Sequence, residues 1–350
     1  MIDDRLPDQL PEVFATLAPG FVVEDPKAAP ALRWGILGAG NIARTFTQDV
    51  RAYSSQKVVA VGSRDQGRAD AFAAEFGDMK PYGSYDALVA ADDIDIIYVA
   101  TPHSRHRDDA LLALRAGKPV LVEKAFTMTL EEAEEIFATA KEMGLFAMEA
   151  MWSRHLPHYR YLEALIDGGN IGRVVSLHAD HGQHLTHVPR LMEPELGGGS
   201  LHDLGVYSNH FANFVLGRPE RISYMTRPTS TGVIAAEMIV GKYPGALSVA
   251  SSNLDGISAT AGQVTFERAS FELPTLFYRP GVVTLRTFPE DGDHIFGEVN
   301  QWDATVPGGF QYQVAEAARC ITAGLTESPV VPWQATLDVM WVLDQVAKGK

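Results

Sequence analysis

Gly38-Ala39-Gly40-Asn41-Ile42-Ala43 is the stretch on which the fold turns. Ahead of it, Leu32 to Leu37 is a short apolar run that reads as a buried strand. Behind it, Asn41 to Tyr53 reads as a helix. A G-x-G-x-x-A string gains meaning from that strand-to-helix setting. Gly38 permits the tight turn, Gly40 lets the backbone approach a pyrophosphate, and Ala43 is small enough for close helix–strand packing. The helix start, with Asn41 and Ile42 in its first turn, offers free N–H groups and a positive dipole end to phosphate. A dinucleotide site is therefore expected. The competing reading is a glycine turn that binds nothing.

Outward from this turn, strands and helices alternate. Lys57 to Ser63, Ile94 to Ala100, Val120 to Glu123 and Leu145 to Met148 read as strands. Gly67 to Phe76, Tyr85 to Ala90 and His106 to Ala116 read as helices between them. Thr129 and Glu132 form a capping box, and Ala133, Ile136, Phe137 and Ala140 place one helix face in the core. Alternating units with buried strands imply a doubly wound parallel sheet, an α/β domain over residues 32–151. From residue 152 to 350 the pattern changes. Tyr159 to Ile166 reads as a helix, Val174 to Ala179 as a strand, and Gly197 to Gly199 precedes a helix running to Val215. Short strands then follow from Arg221 to about Thr287. Gln311 to Thr322 and Gln334 to Ala347 close the chain as helices. This second domain is expected to be α+β with a mostly antiparallel open sheet. Residues 1–31, rich in proline and acid, are expected to be an extension on the surface, anchored by Phe14, Leu17, Phe21 and Val22.

Composition narrows the partners. The chain has 350 residues, 46% hydrophobic and 21% charged, so it can bury a core. Its net charge of -15 repels phosphate backbones, which argues against a nucleic-acid partner. The single cysteine, Cys320, excludes an internal disulfide and Cys-rich zinc sites, and fits a reducing, cytoplasmic setting. No apolar run approaches the roughly 20 residues of a membrane helix, so no membrane partner is expected. The first residues are acidic rather than basic and then apolar, unlike a signal peptide.

The end of the second strand bears on the choice of cofactor. An acid there would grip a ribose 2′-hydroxyl. Ser63 and Arg64 stand there instead, with Arg68 one turn on, and a guanidinium suits a 2′-phosphate. NADP is expected over NAD, although Asp65, turned inward, would suit a 2′-hydroxyl.

Further motifs follow in fixed order: Thr101-Pro102-His103-Ser104-Arg105-His106, Ala116-Gly117-Lys118-Pro119-Val120, Glu123-Lys124, and Gly197-Gly198-Gly199 through Asp203-Leu204-Gly205-Val206-Tyr207. Together they resemble the glucose–fructose oxidoreductase, inositol dehydrogenase and MocA family, from residue 32 to the end. Met148-Glu149-Ala150-Met151-Trp152-Ser153-Arg154 and Leu185-Thr186-His187-Val188-Pro189-Arg190 are similar to its dimeric dihydrodiol dehydrogenase branch. The resemblance implies a Rossmann domain followed by an α+β domain whose open sheet joins a homodimer or higher homo-oligomer. It implies a small sugar, polyol or trans-dihydrodiol as substrate. It implies that Lys124 is the catalytic lysine, Tyr207 the general acid/base and Asp203 its acidic partner. Thr101, Pro102, His103, His106 and Glu123 fall among its cofactor-binding motifs. The family usually carries proline after Glu-Lys, where this chain has Ala125, and asparagine is common where it has His103.

The chemistry stands on its own terms too. Oxidising a carbinol requires a group to take its proton. An ordinary tyrosine, with a pKa near ~10, is a poor base at neutral pH. A neighbouring ammonium favours the phenolate, so a Tyr–Lys pair makes a proton relay. Asp203 and Tyr207, four apart, share one face of a regular helix. Taken singly, Lys124 reads better as a solvated lysine at a strand end and Tyr207 as a half-buried aromatic; only their spacing with the cofactor motifs lifts them. His178, His181, His184, His187, His202 and His210 crowd one region, but without a metal-ligand pattern, so no metal is expected. His181 and His187 are instead expected to line a substrate cleft with Trp152, Arg154 and Arg190. Two other readings stay open: a sugar oxidoreductase that retains its cofactor through the cycle, and a nucleotide-sensing regulator without catalysis.

Overall fold

The computed structural model describes residues 9–288 and 297–349. The expected extension therefore lies partly, over residues 1–8, outside the described residues. The chain divides into two compact units. One is Glu24–Trp152 with Gly308–Met340. The other is Ser153–Pro307 with segments from both chain ends.

The described chain opens with a short helix, α1 (Glu12–Leu17), which belongs to the second unit. The first unit then alternates strands and helices: β1 (Arg33–Leu37), α2 (Asn41–Tyr53), β2 (Lys57–Gly62), α3 (Gln66–Phe76), β3 (Lys80–Tyr82), α4 (Tyr85–Val89), β4 (Ile96–Val99), α5 (His106–Arg115), β5 (Val120–Val122), α6 (Leu130–Met143) and β6 (Ala147–Glu149). The six strands are parallel, in the order β3-β2-β1-β4-β5-β6. This is the doubly wound Rossmann order, and ligands bind outside the carboxyl ends of the strands where that order reverses, between β1 and β4. Trp34, Ile36, Ile97, Val99, Leu121 and Val122 have no exposed surface, as strands covered on both faces require. The expected capping box forms in part, its return bond falling on the residue before the cap. Thr129 Oγ1 accepts the Glu132 N–H at 3.3 Å, and Glu132 Oε2 accepts the N–H of Met128 at 3.0 Å.

In the second unit α7 (Pro157–Gly168) leads into β7 (Val174–Gly182). A π-helical turn, Leu201–Gly205, leads into α8 (Val206–Leu216). Then come β8 (Arg221–Pro228), β9 (Ile234–Tyr243), β10 (Ala246–Asn253), β11 (Gly262–Phe266), β12 (Ala269–Leu273), β13 (Val282–Thr287) and β14 (Glu298–Asp303). These strands form one sheet, β14-β13-β12-β11-β7-β10-β9-β8, antiparallel throughout except where β7 and β10 run parallel. Leu177, Ala179, Ala250 and Val264 alternate onto the buried face. Met225, Met238, Val240 and Leu247 stand exposed on the other.

Two closing helices follow, α9 (Phe310–Thr322) and α10 (Trp333–Ala347). The division at residue 152 expected from the sequence differs here, because Gly308–Met340 groups with the parallel sheet. Aromatic packing is the reason. Phe310 meets Phe46 of α2 edge-on at 6.1 Å and stacks on Trp152 at 4.8 Å. Trp333 stacks on Phe137 of α6 at 5.2 Å and donates from Nε1 to the Ala147 carbonyl at 2.8 Å. The expected anchors of the N-terminal extension also divide. Phe14 is wholly buried against Tyr161 and Trp302, and Phe21 meets the same two rings. Val22, by contrast, is 76% exposed and anchors nothing.

Candidate active site

The glycine turn is built as the sequence requires. Gly38 follows β1 at φ +103°, and a Cβ there would lie 2.7 Å from the Ala100 carbonyl oxygen at the end of β4. Only glycine lets β1 and β4 come this close with that backbone. Gly40 is the N-cap of α2; it offers no side-chain cap, and the space around its Cβ position is open to 4 Å. The N–H groups of Asn41 and Ile42 thus begin a helix beside open space, and Asn41 and Ile42 are themselves exposed. Ala43 is wholly buried beneath them. A pyrophosphate fits this arrangement on steric and dipole grounds.

At the end of β2, Ser63 is buried. Its Oγ accepts the N–H of Asp65 at 3.3 Å. Asp65 is the N-cap of α3, with Oδ1 accepting the Arg68 N–H at 2.9 Å. Its carboxylate is therefore turned toward its own helix. Arg64 and Arg68 are exposed. Tyr85, the first residue of α4, feels the positive charge of Arg64, Arg105 and Arg68, although burial raises its pKa overall.

Beyond β4, Thr101 and His103 are buried and Pro102 is exposed. His103 Nε2 bonds the carbonyl of Lys124 at 3.1 Å. His106 has no exposed surface. Its Nδ1 bonds the Ala125 carbonyl at 2.9 Å and its Nε2 the Thr101 carbonyl at 2.8 Å. Burial lowers its pKa, and the carbonyl contacts partly oppose this. His106 was expected to contact cofactor. With both ring nitrogens on backbone carbonyls it instead ties the Thr101 loop to the Lys124–Ala125 segment, whose peptide bond is cis.

Glu123 precedes Lys124 at the end of β5 and is buried, so its pKa is pushed up to about 7. The Tyr98 hydroxyl, donating to Glu123 Oε1 at 2.5 Å, and the Lys124 ammonium pull it back down, while Glu149 pushes it up. Glu149 is itself 1% exposed, with the Thr336 hydroxyl donating to it at 2.9 Å. Lys124 thus follows a buried carboxyl that also feels the charge of Glu149. Tyr98 and Glu149 belong to this cluster, and the sequence reading passed over both. Tyr98 looked like a strand aromatic, and Glu149 lay inside a run taken for a motif of resemblance.

In the second unit Asp203 and Tyr207 are both nearly buried, at 6% and 8% exposed. The π-helical turn holds Asp203 and ends just before Tyr207. The regular i, i+4 face expected from the sequence therefore does not apply here, and π turns recur at functional positions. Arg190 Nη2 lies 3.2 Å from Asp203 Oδ1. The Tyr207 ring packs against His181 at 5.3 Å and Tyr278 at 4.5 Å. His181 Nδ1 bonds the Leu204 carbonyl at 3.2 Å, and Gln183 Nε2 reaches both His181 Nε2 at 2.8 Å and the Tyr278 hydroxyl at 3.1 Å. Tyr278 is the second aromatic that sequence reasoning missed, since it comes from the loop between β12 and β13, far along the chain from Tyr207. Of the expected substrate residues, His181 and Arg190 join Tyr207 and Asp203. Arg154 is buried over the Phe214 ring, 5.1 Å from its centroid. His187 is exposed on a turn, and Trp152 stacks on Phe310. Among the described residues no group of three or more His, Cys, Asp or Glu side chains is arranged to hold a metal, and no helix is long and apolar enough to cross a membrane.

A Rossmann unit with an open glycine turn, followed by a unit built on a large mostly antiparallel sheet, defines an NAD(P)-dependent oxidoreductase. Residues 32–151 match the family model described as an oxidoreductase family with an NAD-binding Rossmann fold, and residues 159–270 match the GFO/IDH/MocA C-terminal domain. The chain belongs to the GFO/IDH/MocA family. It is 34% identical over 331 residues to the trans-1,2-dihydrobenzene-1,2-diol dehydrogenase of Bos taurus, covering 91% of this chain and 97% of that one. It is 32% identical over 334 residues to the Homo sapiens enzyme of the same name, with the same coverage of both chains. Among solved structures it resembles KijD10, a 3-ketoreductase from Actinomadura kijaniata in complex with NADP and TDP-benzene. That match has a TM-score of 0.79 and 26% identity, over 91% of this chain and 98% of that one.

Proposed function

We propose that the protein uses NADP(H) to interconvert a carbinol and a carbonyl on a sugar, polyol or trans-dihydrodiol, with Tyr207 as general acid/base. One observation carries the cofactor reading: Asp65 is committed to the N-cap of α3, while Ser63, Arg64 and Arg68 remain around the end of β2. A hydroxyl and two guanidinium groups match a 2′-phosphate. The ketoreductase solved with NADP supports the same cofactor, and the relatives named as diol dehydrogenases support a carbinol substrate.

A bound nicotinamide supplies the hydride acceptor or donor. Everything else is done by this chain. Gly38, Gly40, Asn41 and Ile42 receive the pyrophosphate, and Thr101, Pro102 and His103 wall the strand ends. Glu123 and His106 fix the backbone that carries Lys124. The ammonium of Lys124 favours the phenolate of Tyr207, which takes the hydroxyl proton from the carbinol and returns it in the reverse direction. Asp203, held by Arg190, orients the turn beside Tyr207. His181, Arg154, Arg190, His187 and Trp152 supply substrate contacts.

The exposed face carrying Met225, Met238, Val240 and Leu247 fits a second copy of the chain, giving a homodimer or higher homo-oligomer. The cytoplasm is the proposed compartment. The test of function is a screen of NADP+ reduction against sugars, polyols and trans-dihydrodiols. Turnover of at least one carbinol class is expected, and silence across the panel would contradict the reading.

A further inference from the structure

β9 alternates Ala235, Glu237, Ile239, Gly241 and Tyr243 onto the buried face of its sheet. Glu237 is the one acid in that series and is 2% exposed. Its hydrogen-bond partners among the described residues are two serine hydroxyls. Ser200 Oγ donates to Oε2 at 2.5 Å, and Ser252 Oγ of β10 donates to Oε1. Burial, with no cation to offset it, pushes the carboxyl up to about 7. A buried acid that meets only hydroxyls is a poor choice for stability, since a leucine of similar size would avoid the cost of desolvation.

Its surroundings show what it touches. Ser200 is the N-cap residue just before the π-helical turn, and Gly205 is the residue that ends it. Gly205 lies directly on the carboxyl: a Cβ there would overlap Glu237 Oε1 and come within 3.2 Å of Ser252 Oγ. The backbone of Gly205 is itself ordinary for a helix, at φ -61°, so the glycine is present for the close approach and not for a left-handed turn. Asp203 stands two residues before this contact and Tyr207 two after it. Asn209 Nδ2 donates to the Gly205 carbonyl at 2.8 Å and Ser208 Oγ to the Ser251 carbonyl at 3.0 Å, which fix the helix beyond it. A π turn adds one residue to the helical repeat, so whether this turn is π or α sets the direction of every side chain around it.

We propose that Glu237 is a positioning residue: its carboxyl seats both ends of the π-helical turn and so sets where Asp203 and Tyr207 point. Glu237 acts through the helix and contacts neither substrate nor cofactor. The proposal rests on the reading of Tyr207 given above.

The experiment compares Glu237→Leu, Glu237→Gln, Glu237→Ala, Gly205→Ala and the double variant Glu237→Ala/Gly205→Ala in the full chain. Turnover is read with NADP+ and the fastest carbinol of the panel, and amide hydrogen exchange over residues 200–207 is read alongside. Glu237→Leu and Gly205→Ala should lower kcat 10-fold or more, with KM for NADP+ within about 2-fold. Exchange over the π turn should quicken. Glu237→Gln accepts from one serine hydroxyl and donates its amide N–H to the other, and should stay within about 3-fold of the parent. The double variant should be less impaired than the sum of Glu237→Ala and Gly205→Ala, because the overlap is gone. If Glu237→Leu does not fold, Glu237→Gln and the double variant decide. Unchanged kcat and exchange in Glu237→Leu would overturn the proposal, as would a Gln variant as impaired as Leu or strict additivity in the double variant. Tyr207→Phe separates the two readings. If Tyr207→Phe retains turnover, the catalytic assignment fails; if it loses turnover and Glu237→Leu does not, only the positioning role fails.

Discussion

Asp65 Oδ1 accepts the backbone N–H of Arg68 at 2.9 Å, so the one acid near the end of β2 caps the helix that also carries a candidate phosphate-binding arginine. To serve a ribose 2′-hydroxyl, Asp65 would have to abandon that cap. Replacing Asp65 with Ala should therefore cost about 1 kcal/mol of stability and leave the NADP+ over NAD+ preference in place. Arg64→Ala and Arg68→Ala should each raise KM for NADP+ roughly 10-fold or more and leave KM for NAD+ nearly unchanged, since charge-assisted contacts are worth about 1.5–3 kcal/mol. Initial-rate kinetics with the two cofactors, and thermal unfolding for Asp65→Ala, check both statements.

His106 holds the Thr101 and Ala125 carbonyls with its two ring nitrogens. A neutral ring carries one N–H, so His106→Leu leaves one buried carbonyl oxygen without its donor, at roughly 1–3 kcal/mol. A drop in unfolding free energy of that size is expected, together with a fall in kcat as the Lys124 segment loses its tie. A variant with the parent's melting temperature and turnover would show that the ring contributes neither.

Glu123 gives a pH dependence whose sign can be worked out. Its folded pKa is about 7, above the ordinary 4.5, so the folded chain holds a proton that the unfolded chain releases between those values. Stability from this group falls as pH rises through that window. Glu123→Gln removes the dependence. Its advantage over the parent should be absent at pH 4, grow as pH rises, and level off above pH 7 at a few kcal/mol at most. Urea unfolding across that range tests the slope; an advantage that shrinks with rising pH would reverse the assignment.

Phe14 fixes the N-terminal segment, buried between Tyr161 and Trp302 at ring distances of 5.3 and 6.2 Å. Phe14→Ala should cost about 3–5 kcal/mol in the second unit. Val22→Ala, at an exposed position, should change stability by less than about 0.5 kcal/mol. Thermal unfolding separates the two.

The parallel sheet was legible because each of its units combines a short apolar run with a helix whose ends are marked. Thr129, Glu132 and Gly144 bracket α6 as the residue types dictate. β3 was not legible. It has three residues, one of them Pro81, and exists by pairing with β2 at the sheet edge. The helix of Asp203 and Tyr207 was foreseen, but its π turn was not, because residue spacing assumes a regular repeat. The grouping of Gly308–Met340 with the first unit was also hidden. A 3.6-residue period says that α9 has a buried face, and it takes Phe310 meeting Phe46 to say against what. Glu237 itself left a faint signal, an acid at an inward position of a strand, which shows only once the register of β9 is known.

The proton relay is the claim on which the rest depends. Its most direct measurement is the rate of NADP+ reduction by the parent, Tyr207→Phe, Lys124→Ala and the double variant Tyr207→Phe/Lys124→Ala with the same carbinol, in proteins shown by thermal shift to bind NADP+ equally. Loss of the phenol should lower kcat 100-fold or more, loss of the ammonium by a similar factor, and the two losses should not add, because the groups act as one unit. Turnover undiminished in both variants would contradict the relay.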